Sequence, residues 1–459
     1  MNERQPVTGS NGDRYAGAAS SIMARSAIQQ GAIADQLAGD EAAALGLRRV
    51  AVLAEALGRP QDGLTIVHVA GTKGKGSTVA FLSAMLVAGG HRTGRYTSPH
   101  LAKLTERITI DEVDLDDATF ADLTERVVAA AEGIESNRPD LGRANALEIL
   151  FVMALLAFRE ARCRVAVIEV GIGGRLDTTN IVDPAVSIIT TLDLEHTAIL
   201  GDTLAEIAAE KAGIIKPGAR VIVAPQPEEA LAVIRERAEA LGSHLTQLDV
   251  PSDDYFVGVP GLQGEHQRLN AALALAALDA LTAIDPLITV APDQRRLGER
   301  RAWLPGRFEV VQPTFVRLAL GGDADRRAPQ IVLDGAHTPR AAAALRATLT
   351  GYATSERNPG EVIVCGFAAD KDARAFLLAL RPSQILPVTA ASPRAVQGER
   401  IARIAMGLGI VVLDGPAAVG DGLRWLIECH SAVRQIVVTG SFLVVAEARV
   451  ALGLTGQRE

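Results

Sequence analysis

Aromatic residues make up only 3% of this 459-residue chain. So few flat side chains argue against a β-sandwich, and the abundance of Ala, Leu, Val and Ile favours helices packed on parallel strands. Cysteine is also scarce. Cys163, Cys365 and Cys429 are far apart and form no Cys-x-x-Cys pair, which excludes a disulfide framework or a zinc site and suits a reducing cytoplasm. There is no basic excess: the formal net charge is -8. The chain is therefore a poor general nucleic-acid binder, although a local basic pocket for a small anion stays open. Long hydrophobic runs are missing too. The longest, residues 146–158, contains Glu148, is too short to span a bilayer and reads as a buried helix. The first twenty residues have no apolar segment of signal-peptide type, and the first fourteen read as disordered.

What is present is ordinary for a globular chain: 48% apolar and 22% charged residues, with a length that suggests two or three domains. Helical patterning covers residues 47–57, 204–212 and 229–241. Apolar strand-like runs fall at 64–70, 165–170, 186–191 and 220–223. Such alternation predicts a mostly parallel sheet covered on both faces. The charged stretch near residues 293–305 ends in Leu304-Pro305-Gly306 and marks a boundary. Beyond it a second β/α series has strands at 330–333, 361–365 and 435–438. Its helices start near Pro339, Ala373 and Phe442, and residues 321–328 read as an exposed loop. The division expected is a disordered 1–14, a domain over 15–300 and a second over 301–459.

One strand is followed by a run dense in chemistry: Gly71, Thr72, Lys73, Gly74, Lys75, Gly76, Ser77 and Thr78. Phosphate needs several backbone N–H groups aimed at one point, and glycines let the chain make that concave nest. The helix starting near Ser77 adds its positive dipole end. Lys75 reaches the outer phosphates, and Ser77 or Thr78 offers a hydroxyl to Mg²⁺. The spacing departs from G-x-x-x-x-G-K-[ST], because Gly76 separates Lys75 from Ser77. Glu169, closing the apolar run 165–168, sits where open α/β sheets place their ligands.

This deviant loop is the form used by the Mur ligase superfamily. Further landmarks follow in order: Thr97-Ser98-Pro99-His100, Glu169-Val170-Gly171-Ile172-Gly173-Gly174-Arg175-Leu176-Asp177, Glu195-His196-Thr197, Glu210-Lys211-Ala212-Gly213, His266-Gln267 with Asn270, Leu304-Pro305-Gly306-Arg307-Phe308, Asp334-Gly335-Ala336-His337 and Gly440-Ser441-Phe442. As an ordered set, from about residue 45 to about residue 453, they resemble folylpolyglutamate synthase/dihydrofolate synthase. The resemblance implies a P-loop-type N-terminal domain and a smaller Rossmann-like C-terminal domain. It implies an ATP-dependent ligase that adds L-glutamate to dihydropteroate or folates through an acyl phosphate, with ATP and two Mg²⁺ ions. It implies a cytoplasmic monomer acting on small molecules, without nucleic acid or membrane. Ser98, Glu169, His196 and Lys211, the last carboxylated to a carbamate, match the metal ligands. Asn270, Arg307 and Asp334 match ATP contacts, and His337 and Ser441 match the glutamate site. Lys75, Lys211, His196 and His337 are the catalytic set. Leu47, Asn145, Leu147, Leu176, Asp177 and Thr178 match the pterin side.

Three departures stand out. Lys73 replaces the usual asparagine and adds a charge beside the phosphates. Glu195 precedes His196 where the family has aspartate, which lengthens the carboxylate's reach. Leu147 stands where the pterin-contacting segment carries an aromatic, a poorer partner for a flat heterocycle. A Mur-type ligase for another acid and amino acid, and a non-catalytic nucleotide binder, remain as alternatives.

Overall fold

The computed structural model describes residues 11–25, 40–249, 261–320, 328–352, 360–430 and 432–454. They fall into two compact units. The first is drawn from Met1–His100, Leu104–Val257 and Leu269–Ala302, and the second from Leu101–Lys103, Gly258–Arg268 and Trp303–Glu459.

The first unit is built on an eight-stranded sheet. Its strands are β1 (Thr65–Ala70), β2 (Thr93–Tyr96), β3 (Ile108–Ile110), β4 (Val113–Asp114), β5 (Val165–Glu169), β6 (Val186–Ile189), β7 (Arg220–Val223) and β8 (His244–Gln247). The spatial order is β4-β3-β2-β5-β1-β6-β7-β8. Strands β1, β2 and β5 to β8 pair in parallel, and the antiparallel pairings are β2 with β3 and β3 with β4, at one edge. β1 is buried along almost its whole length, as a central parallel strand covered on both faces must be, and its Val-, Ile- and Ala-rich sequence meets that need. It lies between β5 and β6, with Val69 opposite Glu169 and Ala70 opposite Ile189. The carboxyl ends of three strands therefore open side by side, where doubly wound sheets bind ligands.

The helix Ala146–Glu160 is apolar nearly all round and is buried on all sides, from Glu148 to Phe158. Its N-terminus carries a capping box. Asn145 Oδ1 accepts from the N–H groups of Leu147 and Glu148, and Glu148 Oε2 accepts from the Asn145 N–H. Arg49 clamps the same carboxylate with two bonds of 2.6 and 2.7 Å. A buried carboxylate needs such a partner, and here the pair ties the helix Asp40–Ala56 to the helix Ala146–Glu160.

Two expectations need correction. Residues 11–14 are not disordered: they open the helix Asn11–Met23. Tyr15, Ala18 and Ile22 form one apolar stripe on it, in which Ala18 and Ile22 are buried and Tyr15 packs against Phe120 at 5.4 Å. That stripe is short within a polar, small-residue stretch, so composition hid it. The charged run after residue 291 is a helix, Pro292–Arg301, and the division between units falls at Ala302 and Trp303. The loop expected at 321–328 lies outside the described residues up to 327.

The second unit holds a six-stranded sheet in the order β13-β12-β11-β14-β10-β9. Its strands are β9 (Glu309–Val311), β10 (Gln330–Leu333), β11 (Glu361–Cys365), β12 (Gln384–Pro387), β13 (Val411–Val412) and β14 (Gln435–Thr439). All pairings are parallel except that of β9 with β10. Helices Pro339–Tyr352, Ala373–Leu380 and Phe442–Ala451 begin where sequence patterning expects them. Among the described residues no helix is long and apolar enough to cross a membrane.

Candidate active site

The loop after β1 has two positions that only glycine can fill. Gly71 has φ 147°, and a Cβ there would sit 1.8 Å from Thr190 Oγ1. Gly74 has φ 92°, and a Cβ there would sit 2.2 Å from Asn270 Oδ1. Both φ values lie in the region that side chains rarely adopt, and both sites are also closed by a neighbour. The helix starts at Lys75, two residues earlier than expected, because Gly74 in its left-handed conformation is already the N-cap. This helix, Lys75–Ala88, is buried from Gly76 to Leu86, so its N-terminal dipole end acts with little water screening.

Two lysines converge on one oxygen. Lys75 Nζ and Lys211 Nζ each lie 3.0 Å from Gly71 O. Lys211 comes from the last turn of the helix Leu204–Ala212 and is buried. Burial first, and then the charge of Lys75, push its pKa down to about 7. An amine that is neutral near pH 7 is a nucleophile, which an ordinary surface lysine is not.

Glu169 closes β5 and is itself buried, and one of its oxygens accepts from the Ser98 N–H at 2.9 Å. Thr78 Oγ1 is buried and makes no hydrogen bond. Such an orphaned hydroxyl at a phosphate loop, together with Glu169 and a deprotonatable lysine, fits a hard divalent ion with oxygen ligands. Among the described residues no three His, Cys, Asp or Glu side chains gather as a metal site, and serine and modified lysine fall outside that set. His196 is exposed, has φ 55°, and precedes the short helix Thr197–Leu200.

Around the residues expected to face the pterin, the helix Asp40–Ala56 packs against the helix Ala146–Glu160 and the turn Thr178–Ile181. That gathers the segments of Leu47, Asn145, Leu147 and Thr178; Leu47, Leu147, Leu176 and Thr178 are half-buried. Asn145 spends its side-chain oxygen on capping. Asp177 is buried and accepts from the N–H groups of Ile172 and Thr179 and from Thr179 Oγ1. Burial pushes its carboxyl up, and these hydrogen bonds oppose the rise. The Thr179 hydroxyl donates to Asp177, so it accepts from His68 Nε2, 2.8 Å away. His68 thus carries its proton on Nε2 and leaves Nδ1 buried without a partner. Sequence reading overlooked this relay. The signal was a histidine inside an otherwise apolar strand.

His68 also sets a pH dependence. Burial, with Lys216 adding a smaller push, lowers its pKa from 6.5 to about 3. The native state then binds fewer protons than the unfolded chain between those values. The contribution to stability is therefore whole above pH 6.5 and is lost as pH falls towards 3. At about 1.4 kcal/mol per pH unit the full loss is of order 5 kcal/mol. We expect His68→Gln to flatten the acid limb of a melting-temperature profile between pH 6.5 and 4, with equal slopes for both proteins counting against a buried neutral His68.

In the second unit Asp334 follows β10. Its Oδ2 accepts from the Phe308 N–H and its Oδ1 from the Ala336 N–H, each at 2.9 Å. Burial raises its pKa, and Arg307 works against the rise. The Arg307 guanidinium lies 4.5 Å from the Phe442 ring centre, and His337 packs on that ring at 5.8 Å. His337 Nδ1 is 2.8 Å from Gly335 O, and Ser441 caps the helix Phe442–Ala451. The fold thus gathers Arg307, Asp334, His337 and Ser441 at the ends of β10 and β14, around Phe442, which sequence reading names only as a motif residue and helix start.

Two mostly parallel sheets, a glycine loop between central strands and a second Rossmann-like unit define the Mur ligase architecture. A probable bifunctional folylpolyglutamate synthase/dihydropteroate synthase of Halobacterium salinarum is 33% identical over 88% of the chain, which spans about half (49%) of that relative's length. The dihydrofolate synthase/folylpolyglutamate synthase of Mycobacterium tuberculosis is 32% identical, over 89% of this chain and 90% of that protein. A solved bifunctional folylpolyglutamate synthase/dihydrofolate synthase with Mn, AMPPNP and L-glutamate bound superposes with a TM-score of 0.72 at 30% identity, covering 89% of this chain and 94% of that one. No protein-family model matches the chain. The chain belongs to the folylpolyglutamate synthase/dihydrofolate synthase family of ATP-dependent ligases.

Proposed function

We propose that this chain joins L-glutamate to the carboxylate of dihydropteroate or a folate at the expense of ATP. The acceptor carboxylate attacks the γ-phosphorus, giving an acyl phosphate and ADP. The glutamate amine then attacks the acyl carbon, phosphate leaves, and the amine's proton is lost. The observation that carries this reading is the convergence of Lys75 and Lys211 on Gly71 O, in a glycine loop at the end of β1. Phosphoryl transfer is chiefly positioning and charge neutralisation; Lys75 beside a helix N-terminus supplies both, and Lys211 contributes through the ions its carbamate would hold.

In this reading residues 71–78 cradle the phosphates, and Asn270 braces the loop through Gly74. Glu169, Ser98, His196 and a carboxylated Lys211 hold two Mg²⁺ ions, which when bound neutralise phosphate charge. Lys211, deprotonated near pH 7, adds CO₂ to give a carbamate and a proton. Arg307 and Asp334 are nucleotide contacts, while His337 and Ser441 serve the glutamate. Leu47, Leu147, Leu176 and Thr178 line the pterin side, and Asp177, held by Thr179 and His68, orients the acceptor. The first unit forms the ATP-binding domain and the second the glutamate domain of a cytoplasmic monomer. The acidic balance of the chain supports small-molecule substrates over nucleic acid.

The full chain should release ADP and phosphate only when a pteroyl acceptor, L-glutamate and Mg²⁺ are all present. Turnover with UDP-linked muramoyl acids but with neither dihydropteroate nor tetrahydrofolate would move the assignment to another Mur-type ligase.

A further inference from the structure

Lys73 sits in the middle of the phosphate loop, yet its ammonium is engaged within the protein, 2.7 Å from Glu195 Oε1. The two are far apart in sequence and are the two charged departures from the family pattern. The backbone around them is laced together as well. The N–H groups of Thr72 and Lys73 both donate to Thr191 O, at 3.0 and 3.1 Å. Thr72 Oγ1 donates to Asp193 O and accepts from the Asp193 N–H. Residues 191–195 thus form a strap bound to the loop, and the next residue is His196, in a left-handed conformation. The side chains are only partly exposed, 36% for Lys73 and 25% for Glu195, so water screens the pair incompletely.

We propose that Lys73 and Glu195 form a charge-neutral latch that positions the strap carrying His196 against the phosphate loop, with Glu195 keeping the lysine's charge away from the nucleotide. Lys73 is then a positioning residue and not a phosphate ligand. The pair also explains why an extra positive charge is tolerated in this loop: the longer glutamate reaches it. Removing one partner exposes the other. Without Lys73 an uncompensated carboxylate stands beside the polyphosphate and repels it. Without Glu195 the ammonium is released towards the nucleotide while the strap loosens.

The inference rests on the loop binding nucleotide, so ATP affinity of the parent chain is measured first; no binding there overturns the proposed function itself. With binding established, the full chain is compared with Lys73→Asn, Glu195→Gln and the double variant. The readouts are calorimetric ATP affinity, kcat and KM, with melting temperature to confirm folding. We expect Lys73→Asn to weaken ATP about tenfold, and Glu195→Gln to tighten it about threefold while lowering kcat about tenfold. The double variant should bind ATP at least as tightly as the parent, because both charges are gone, whereas independent effects would leave it about threefold weaker. A double variant that binds ATP no better than Lys73→Asn overturns the latch and makes Lys73 a direct phosphate ligand. Effects of the single changes that simply multiply overturn it too. Should Lys73→Asn not fold, Lys73→Gln takes its place in the same cycle.

Discussion

Lys75→Ala removes ligation, with turnover falling about a thousandfold and ATP affinity weakened in parallel. The size follows from where the ammonium sits. Lys75 Nζ lies 3.0 Å from Gly71 O, so its ammonium is held at the start of a buried helix. Charge that develops on transferred phosphoryl oxygens is stabilised most by donors already in place, in surroundings that water does not relax. Lys75→Arg keeps the charge but not the short reach, and should recover little of the loss. Steady-state ADP release with calorimetric ATP titration checks this. An affinity unchanged within about twofold would remove Lys75 from the phosphate site.

Lys211→Ala should lower turnover about as far, for another reason. A buried lysine whose pKa is about 7 is costly to keep unless its amine is used. Below pH 7 the ammonium form dominates and does not react with CO₂; above it the neutral amine does. At fixed dissolved CO₂, activation of the parent enzyme by bicarbonate should therefore grow between pH 6 and pH 8. The variant should show no such activation, and short carboxylic acids should restore part of its activity by standing in for the carbamate. Bicarbonate independence of the parent in degassed buffer would leave Lys211 acting as an unmodified amine.

The central strands of both sheets are legible because fully buried parallel strands need continuous apolar runs, as in β1, β5 and β14. The short edge strands β3, β4, β9 and β13 are not, since two or three residues carry no periodicity. The glycines of the loop point to phosphate, but the reason for two of them lies with Thr190 and Asn270, which no local pattern places. The extra charge of Lys73 had no explanation in sequence, because its partner Glu195 is joined to it only by the fold. The relay His68–Thr179–Asp177 was hidden for the same reason. The motif Asn145-Ala-Leu-Glu148 was read for its side chains towards a ligand. Much of it is instead a helix start, with Glu148 held by Arg49. That anchor positions Leu147 whatever ring it meets.

The most direct measurement is product mass spectrometry after incubating the full chain with ATP, Mg²⁺ and L-glutamate, with dihydropteroate or tetrahydrofolate as acceptor. The expected product is the acceptor extended by glutamyl residues, formed together with ADP. Unchanged acceptor in both reactions, from protein shown to bind ATP, would contradict the assignment of a folate-directed ligase.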